Sequence, residues 1–160
     1  MRRLASPLLL AAALAACGDD GPTLPSQPSG PSQATITVTQ SSQGQVCPSP
    51  SGTANVRLRL PVRITESAGL GANINFIRLS LLRGGAEVER REVTSTAITG
   101  GLGTNRIAAG GTVTATVSID FNTTDFDSFR IEFNFTDDRG NVLQAALTAL
   151  DVIAVFTCTV

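Results

Sequence analysis

Three thiols are the most reactive groups in this chain: Cys17, Cys47 and Cys158. Pairing alone leaves one over, so at least one cysteine has a separate use. The next chemistry-bearing set is rich in oxygen. The stretch "DFNTTDFD" gathers Asp120, Asn122, Asp125 and Asp127 within eight residues, and several oxygen donors on one loop are what calcium takes. Their spacing departs from the D-x-[DN]-x-[DN]-G pattern of an EF-hand. Asp and Asn also build ordinary turns, so the calcium candidate stands against a plain polar turn. The third set is cationic. Arg57, Arg59 and Arg63 share one face of a strand-like run, with Arg78 and Arg130 on neighbouring runs. Such a face would meet anionic lipid or polysaccharide. Glu87, Glu89, Glu92 and Glu132 are expected to neutralise it across strands, leaving a solvated, salt-bridged surface.

The missing residue types narrow the chemistry further. The 160 residues include no His, Lys, Trp or Tyr, and all 12 basic residues are arginine. Ser-His-Asp, Cys-His and Ser-Lys catalysis therefore have no base, and histidine-ligated metal sites are excluded. Paired carboxylates, as in glycoside hydrolysis, are the one catalytic option left. Sugar enzymes and sugar-binding modules usually offer Trp or Tyr platforms. Here only phenylalanine is present, much of it in core phase. The chain is read as non-catalytic and without a cofactor. Its net charge of −1 and scattered arginines give no footprint for nucleic acid.

The elements that carry these residues fall into three segments. Arg2 and Arg3 precede an apolar run, Leu4 to Ala13. Charge followed by a short greasy run is the layout of a secretory signal, and the run is too short to span a bilayer. "LAAC", Leu14 to Cys17, then resembles the lipobox of bacterial lipoproteins. The resemblance covers the first 17 residues: charge, greasy run, Leu at −3, small residues at −2 and −1, Cys at +1. It implies a diacylglyceryl group on the Cys17 sulfur, removal of residues 1–16, and N-acylation of the new terminus. Two or three acyl chains anchor a protein where one does not. The implied address is the bacterial cell envelope, with a membrane partner through the lipid. Gly18 follows Cys17 where the enteric inner-membrane retention signal has aspartate, so the lean is towards the outer membrane or a periplasm-facing site.

Residues 17–33 read as the lipidated cysteine and a tether. Ten of the sixteen residues from Gly18 to Gln33 are Gly, Pro or Ser. In polyproline II form the segment would reach about 50 Å. From Ala34 to Val160 the texture is β. Ala54, Val56, Leu58, Leu60, Val62 and Ile64 alternate with polar residues. Pro61 lacks an N–H, which predicts an unpaired side or a bulge there. The change of phase within "ANINFIRLSLL" predicts a bulge near Phe76 or burial on both faces. "RGG", Arg83 to Gly85, reads as a hairpin turn. Val113 to Phe121 and Phe129 to Phe135 alternate cleanly, and "DDRGN" is a turn between strands. "VLQAALTALDVIAV" reads as strand, with a short helix as the alternative, and "FTCTV" as strand. "GGLGTNRIAAGG" reads as a long mobile loop.

The sum is an all-β, antiparallel sandwich of seven or eight strands with no convincing helix. A small closed barrel is the alternative. In strand count and long second strand it resembles the immunoglobulin-like and fibronectin type III-like modules of bacterial surface proteins, though their usual buried tryptophan is absent. With Cys17 assigned to lipid, Cys47 and Cys158 remain, and oxidising conditions beyond the inner membrane favour their pairing. The functional expectation is a lipid-anchored module for binding or structure, with an envelope protein or polysaccharide as partner. A surface adhesin-like module and a carboxylate-based hydrolase are the alternatives.

Overall fold

The strict alternation of the longest apolar runs produces the longest strands. A computed structural model describes residues 30–147 and 150–158, so Cys17, the lipobox and most of the tether lie outside the described residues. The strands are β1 (Ile36–Gln40), β2 (Gly44–Pro48), β3 (Val56–Glu66), β4 (Ala72–Arg83) and β5 (Ala86–Thr94), then a helix α1 (Ser95–Leu102). They continue with β6 (Arg106–Ile107), β7 (Thr112–Phe121), β8 (Ser128–Asp137), β9 (Val142–Leu147) and β10 (Val152–Ala154).

They form two sheets. In the first, β3 pairs antiparallel with β7 along one edge. Along its other edge lie β1 and β2, end to end. The three-residue β10 adds to β2 in parallel. In the second, β4 is flanked by β5 and β6 on one side and by β8 on the other, and β9 closes the far edge. The chain crosses between the sheets from β3 to β4, β6 to β7, β7 to β8 and β9 to β10, which makes a two-sheet, mainly antiparallel β-sandwich. Inward residues of both sheets, among them Leu60, Ile74, Phe121, Phe133 and Phe135, fill the space between them.

Several local expectations hold for visible reasons. The register of β4 against β8 shifts between Ile74 and Phe76, which resolves the change of phase as a bulge. Gly84 and Gly85 have φ of 56° and 82°, so the β4–β5 hairpin turns through two left-handed residues, as a two-residue type I′ turn requires. Pro61 sits opposite the break between β1 and β2, where its carbonyl accepts the Ser41 N–H at 3.0 Å. Its N–H would point into that break, so the strand loses no ladder bond.

Other expectations are corrected. β2 and β6 are strands that no alternation announces. The segment expected to be a long loop is the end of α1, then β6 and a turn. Helix α1 rests on tertiary packing: Ile98 is buried between the sheets, and Gly103 closes the helix in the left-handed conformation with its N–H on the Thr99 carbonyl at 2.8 Å. "VLQAALTALDVIAV" divides into β9 and β10. Phe156–Cys158 carries no strand pairing, because it leaves the edge of β2 and folds over the face of the sheet.

Candidate functional site

The outer face of the first sheet carries Arg59 and Arg63, side by side with the Cys47–Cys158 disulfide. The register sets its rows. Cys47 lies opposite Arg57, and Arg57 opposite Asp120. One step along, Ile153, Gln45, Arg59 and Ser118 stand abreast. Further along, Thr39, Arg63 and Thr114 do so. Cys47 faces outward and yet is only 2% exposed, because the end of the chain lies on it. The disulfide joins Cys47 to Cys158 across a sequence separation of 111, with a Cα–Cα distance of 5.5 Å. Val155 N–H donates to the Val46 carbonyl at 2.8 Å and fixes the approach.

This covering segment makes one wall of a groove of about 610 Å³, whose floor and far wall include Arg57, Arg59, Ser118 and Pro48. Phe156 stands at its rim, 98% exposed. Arg57 is already engaged: its Nε and Nη2 donate to the two Asp120 oxygens at 2.7 and 2.8 Å. Asp120 also accepts from the Ser49 hydroxyl at 2.9 Å. The Arg57 guanidinium holds the Asp120 carboxyl below its usual range against a smaller opposing effect of burial. Among the strand arginines of the described residues, Arg59 and Arg63 alone make no ion pair.

The expected neutralisation is therefore corrected in part. Arg78 pairs with Glu92 at 2.9 Å and with Glu132 at 3.8 Å, and Arg130 with Glu132 at 3.4 Å. These pairs cover the outer face of the second sheet. Arg57, Arg59 and Arg63 stand on the opposite side of the sandwich, out of reach of those glutamates. Glu89 faces the other way on β5, where it accepts N–H bonds from Asn122 and Thr123 at 3.0 and 2.9 Å.

That contact also defines the loop proposed for calcium. Its acids turn to separate partners. Asp120 goes to Arg57, Asp125 pairs with Arg83, and Asp127 accepts the Gly84 N–H at 2.6 Å. The Asn122 carbonyl accepts from the Asn55 amide. The contacts with Arg83, Gly84 and Glu89 dock the loop on the β4–β5 hairpin, those with Arg57 and Asn55 tie it to β3 and the residues before it, and the structure does not bring the four side chains together. Among the described residues, no group of three or more Asp, Glu, His or Cys side chains is arranged to hold a metal.

At the end of the sandwich where the chain enters, two inward-facing acids continue the apolar phase of their strands. Glu66 ends β3, is 1% exposed, and accepts N–H bonds from Thr35, Ala68, Gly69 and Gly110 at 2.7 to 3.2 Å. Asp137 ends β8 and accepts from the N–H groups of Ala34, Arg139 and Asn141, each at 2.9 Å, and from the Asn141 amide at 2.9 Å. Burial pushes both carboxyls up, and the converging donors outweigh it. Glu66 is lowered, and Asp137 is held at about 2 against an ordinary 3.8. Together they clamp Ala34 and Thr35, the first residues of the domain. Sequence reading missed this pair; the signal was the unbroken inward phase running into an acid.

The clamp sets a pH dependence. A carboxyl whose folded pKa is depressed contributes stability above its unfolded pKa and loses it as pH falls through the folded value. For Asp137 that window runs from about pH 4 to about pH 2. Thermal melts are expected to fall through this window in the wild type and less steeply in Asp137→Asn, which is the less stable protein at pH 6. Parallel curves for the two proteins would contradict the clamp.

No family model matches the chain, and no curated protein is similar to it at a significant level. Among solved structures, the crystal structure of a Bordetella pertussis protein assigned as ApaA is similar, with a TM-score of 0.44 and 16% identity over 74% of this chain and 94% of that one.

Proposed function

We propose that this protein is a bacterial envelope lipoprotein that displays one immunoglobulin-like sandwich, for binding or structure and without catalysis, on a tether fixed to the membrane through Cys17. The observation that carries the reading is "LAAC" at Leu14 to Cys17, placed between an apolar run and a Pro/Gly/Ser-rich segment. Two features support it. Cys47 and Cys158 are satisfied by each other, so Cys17 has no partner thiol within the domain. The tether also meets the domain at Ala34 and Thr35, where buried carboxylates grip the backbone, as a point that bears load needs. The outer-membrane or periplasm-facing address is part of the same proposal.

Membrane fractionation after growth with a labelled fatty acid tests it. The wild type is expected to carry label and to sediment with membranes. Cys17→Ala is expected to carry none and to lose most of its membrane association, since each buried acyl methylene contributes about 0.8 kcal/mol. Equal labelling of the two proteins would overturn the reading.

A further inference from the structure

We infer that the groove beside the Cys47–Cys158 disulfide is a binding site for an acidic saccharide, and that the face beyond it follows an anionic sugar polymer along β3. This rests on the reading of the domain as a binding module and names its ligand class. It does not depend on the lipid anchor.

The charge is uncommitted. On the second sheet every outward arginine has an acid beside it. On the first, Asp120 is taken by Arg57 through two hydrogen bonds, and Asp151, at the edge, accepts from Gln43 at 3.0 Å. Among the described residues, Arg59 is left in the groove wall with no partner of opposite sign. A guanidinium offers a planar fork that fits a carboxylate or sulfate in two-point fashion.

The apolar element is fixed in place. Phe156 is 98% exposed, and water around a phenyl ring is unfavourable. The backbone that carries it is held on one side by the Val155 N–H bond and on the other, two residues on, by the disulfide at Cys158. Phe156 stands at the rim of a groove lined also by Arg59, Ser118 and Thr157. A sugar ring with an acidic substituent has the matching set: an apolar C–H face for the phenyl ring, an anion for the arginine and hydroxyls for the serine and threonine. An acidic peptide would use the arginine and leave the ring and hydroxyls without a role. A membrane surface would call for more exposed apolar side chains than the Ile153 and Phe156 that this face carries among its threonines and serines.

The second cation sets the polymer direction. Arg63 is four residues along β3 from Arg59 on the same face, about 14 Å away at strand rise, with Thr39 and Thr114 beside it. A chain carrying repeated anions reaches both.

The test uses the full chain in non-ionic detergent, with binding measured by calorimetry to polygalacturonate, dextran, polyglutamate and vesicles containing phosphatidylglycerol. Polygalacturonate is expected to bind and the other three to bind at least about tenfold more weakly, dextran because it lacks the anion for Arg59, and polyglutamate and the vesicles because they keep the anion but offer no sugar ring to Phe156. Arg59→Gln and Phe156→Ala are each expected to weaken polygalacturonate binding by about tenfold or more. Arg63→Gln is expected to weaken the polymer and leave a digalacturonate unit unchanged. All three side chains lie at the surface, and melting curves matching the wild type establish that the variants are folded. The inference is overturned if polygalacturonate does not bind, if Arg59→Gln or Phe156→Ala binds as the wild type does, or if polyglutamate or the vesicles bind as tightly. Failure here with fatty-acid label still on Cys17 overturns the ligand and leaves the anchor standing.

Discussion

Replacing Cys47 and Cys158 together by alanine is expected to lower the stability of the domain by about 4 to 5 kcal/mol. The bridge closes a loop spanning 111 positions, and in the chain-entropy model the denatured chain loses more freedom as the loop lengthens. Beyond the Asp151 bonds to Gln40, Gln43 and Gly44, two elements hold the end of the chain. β10 contributes three paired residues in parallel, followed by the single bond from Val155 to Val46. Since a domain of this size has a total stability of about 5 to 15 kcal/mol, the loss is a large share of it. Urea unfolding of the oxidised wild type and the double variant measures it. The midpoint should fall, with the variant's denatured state free to expand. The same change should release Phe156 from the rim of the groove, so the variant should lose saccharide affinity even where it remains folded. Coincident unfolding curves for oxidised and reduced wild type would show that the bridge does not contribute.

The second large effect is expected in the core. Phe133 on β8 has no exposed surface. It lies opposite Ile77 on β4 and Ala145 on β9, and stacks with Phe135 at 6.2 Å between ring centres. Phe133→Ala is expected to cost about 3 to 5 kcal/mol, the transfer of the ring plus the cavity left behind. Strands on both sides of β8 hold their separation, so the sheets cannot close over the gap. Phe156→Ala removes the same atoms from a side chain that is 98% exposed, and is expected to change stability by less than about 0.5 kcal/mol. The pair separates burial from residue type. Equal midpoints in urea would contradict the placement of β8 at the centre of the second sheet.

The sandwich was legible in the sequence where side-chain period alone decides structure. β3, β7 and β8 alternate without a break, because each has one face on the core and one in water. β2 was not legible. Its five residues "GQVCP" begin with glycine and end with proline, and they are strand because β3 offers them an edge. Helix α1 was not legible either: "STAITGGL" has two glycines and no apolar stripe, and it forms where Ile98 can enter the gap between the sheets. The candidate site was half legible. Arg57, Arg59 and Arg63 were on one face as read. Period cannot say which sheet a strand joins, so it assigned them glutamates from the other side of the molecule. Phe156 was read within a strand. Its exposure follows from a disulfide that carries the chain off the edge and across the face.

The anchor at Cys17 is the claim on which the proposed envelope address turns. The most direct measurement is the intact mass of the mature protein extracted from membranes. The expected species begins at Cys17 and carries the added mass of a diacylglyceryl group, with or without an N-acyl chain. A mature chain that begins at another residue, or one that begins at Cys17 with a free thiol and no lipid mass, would contradict it.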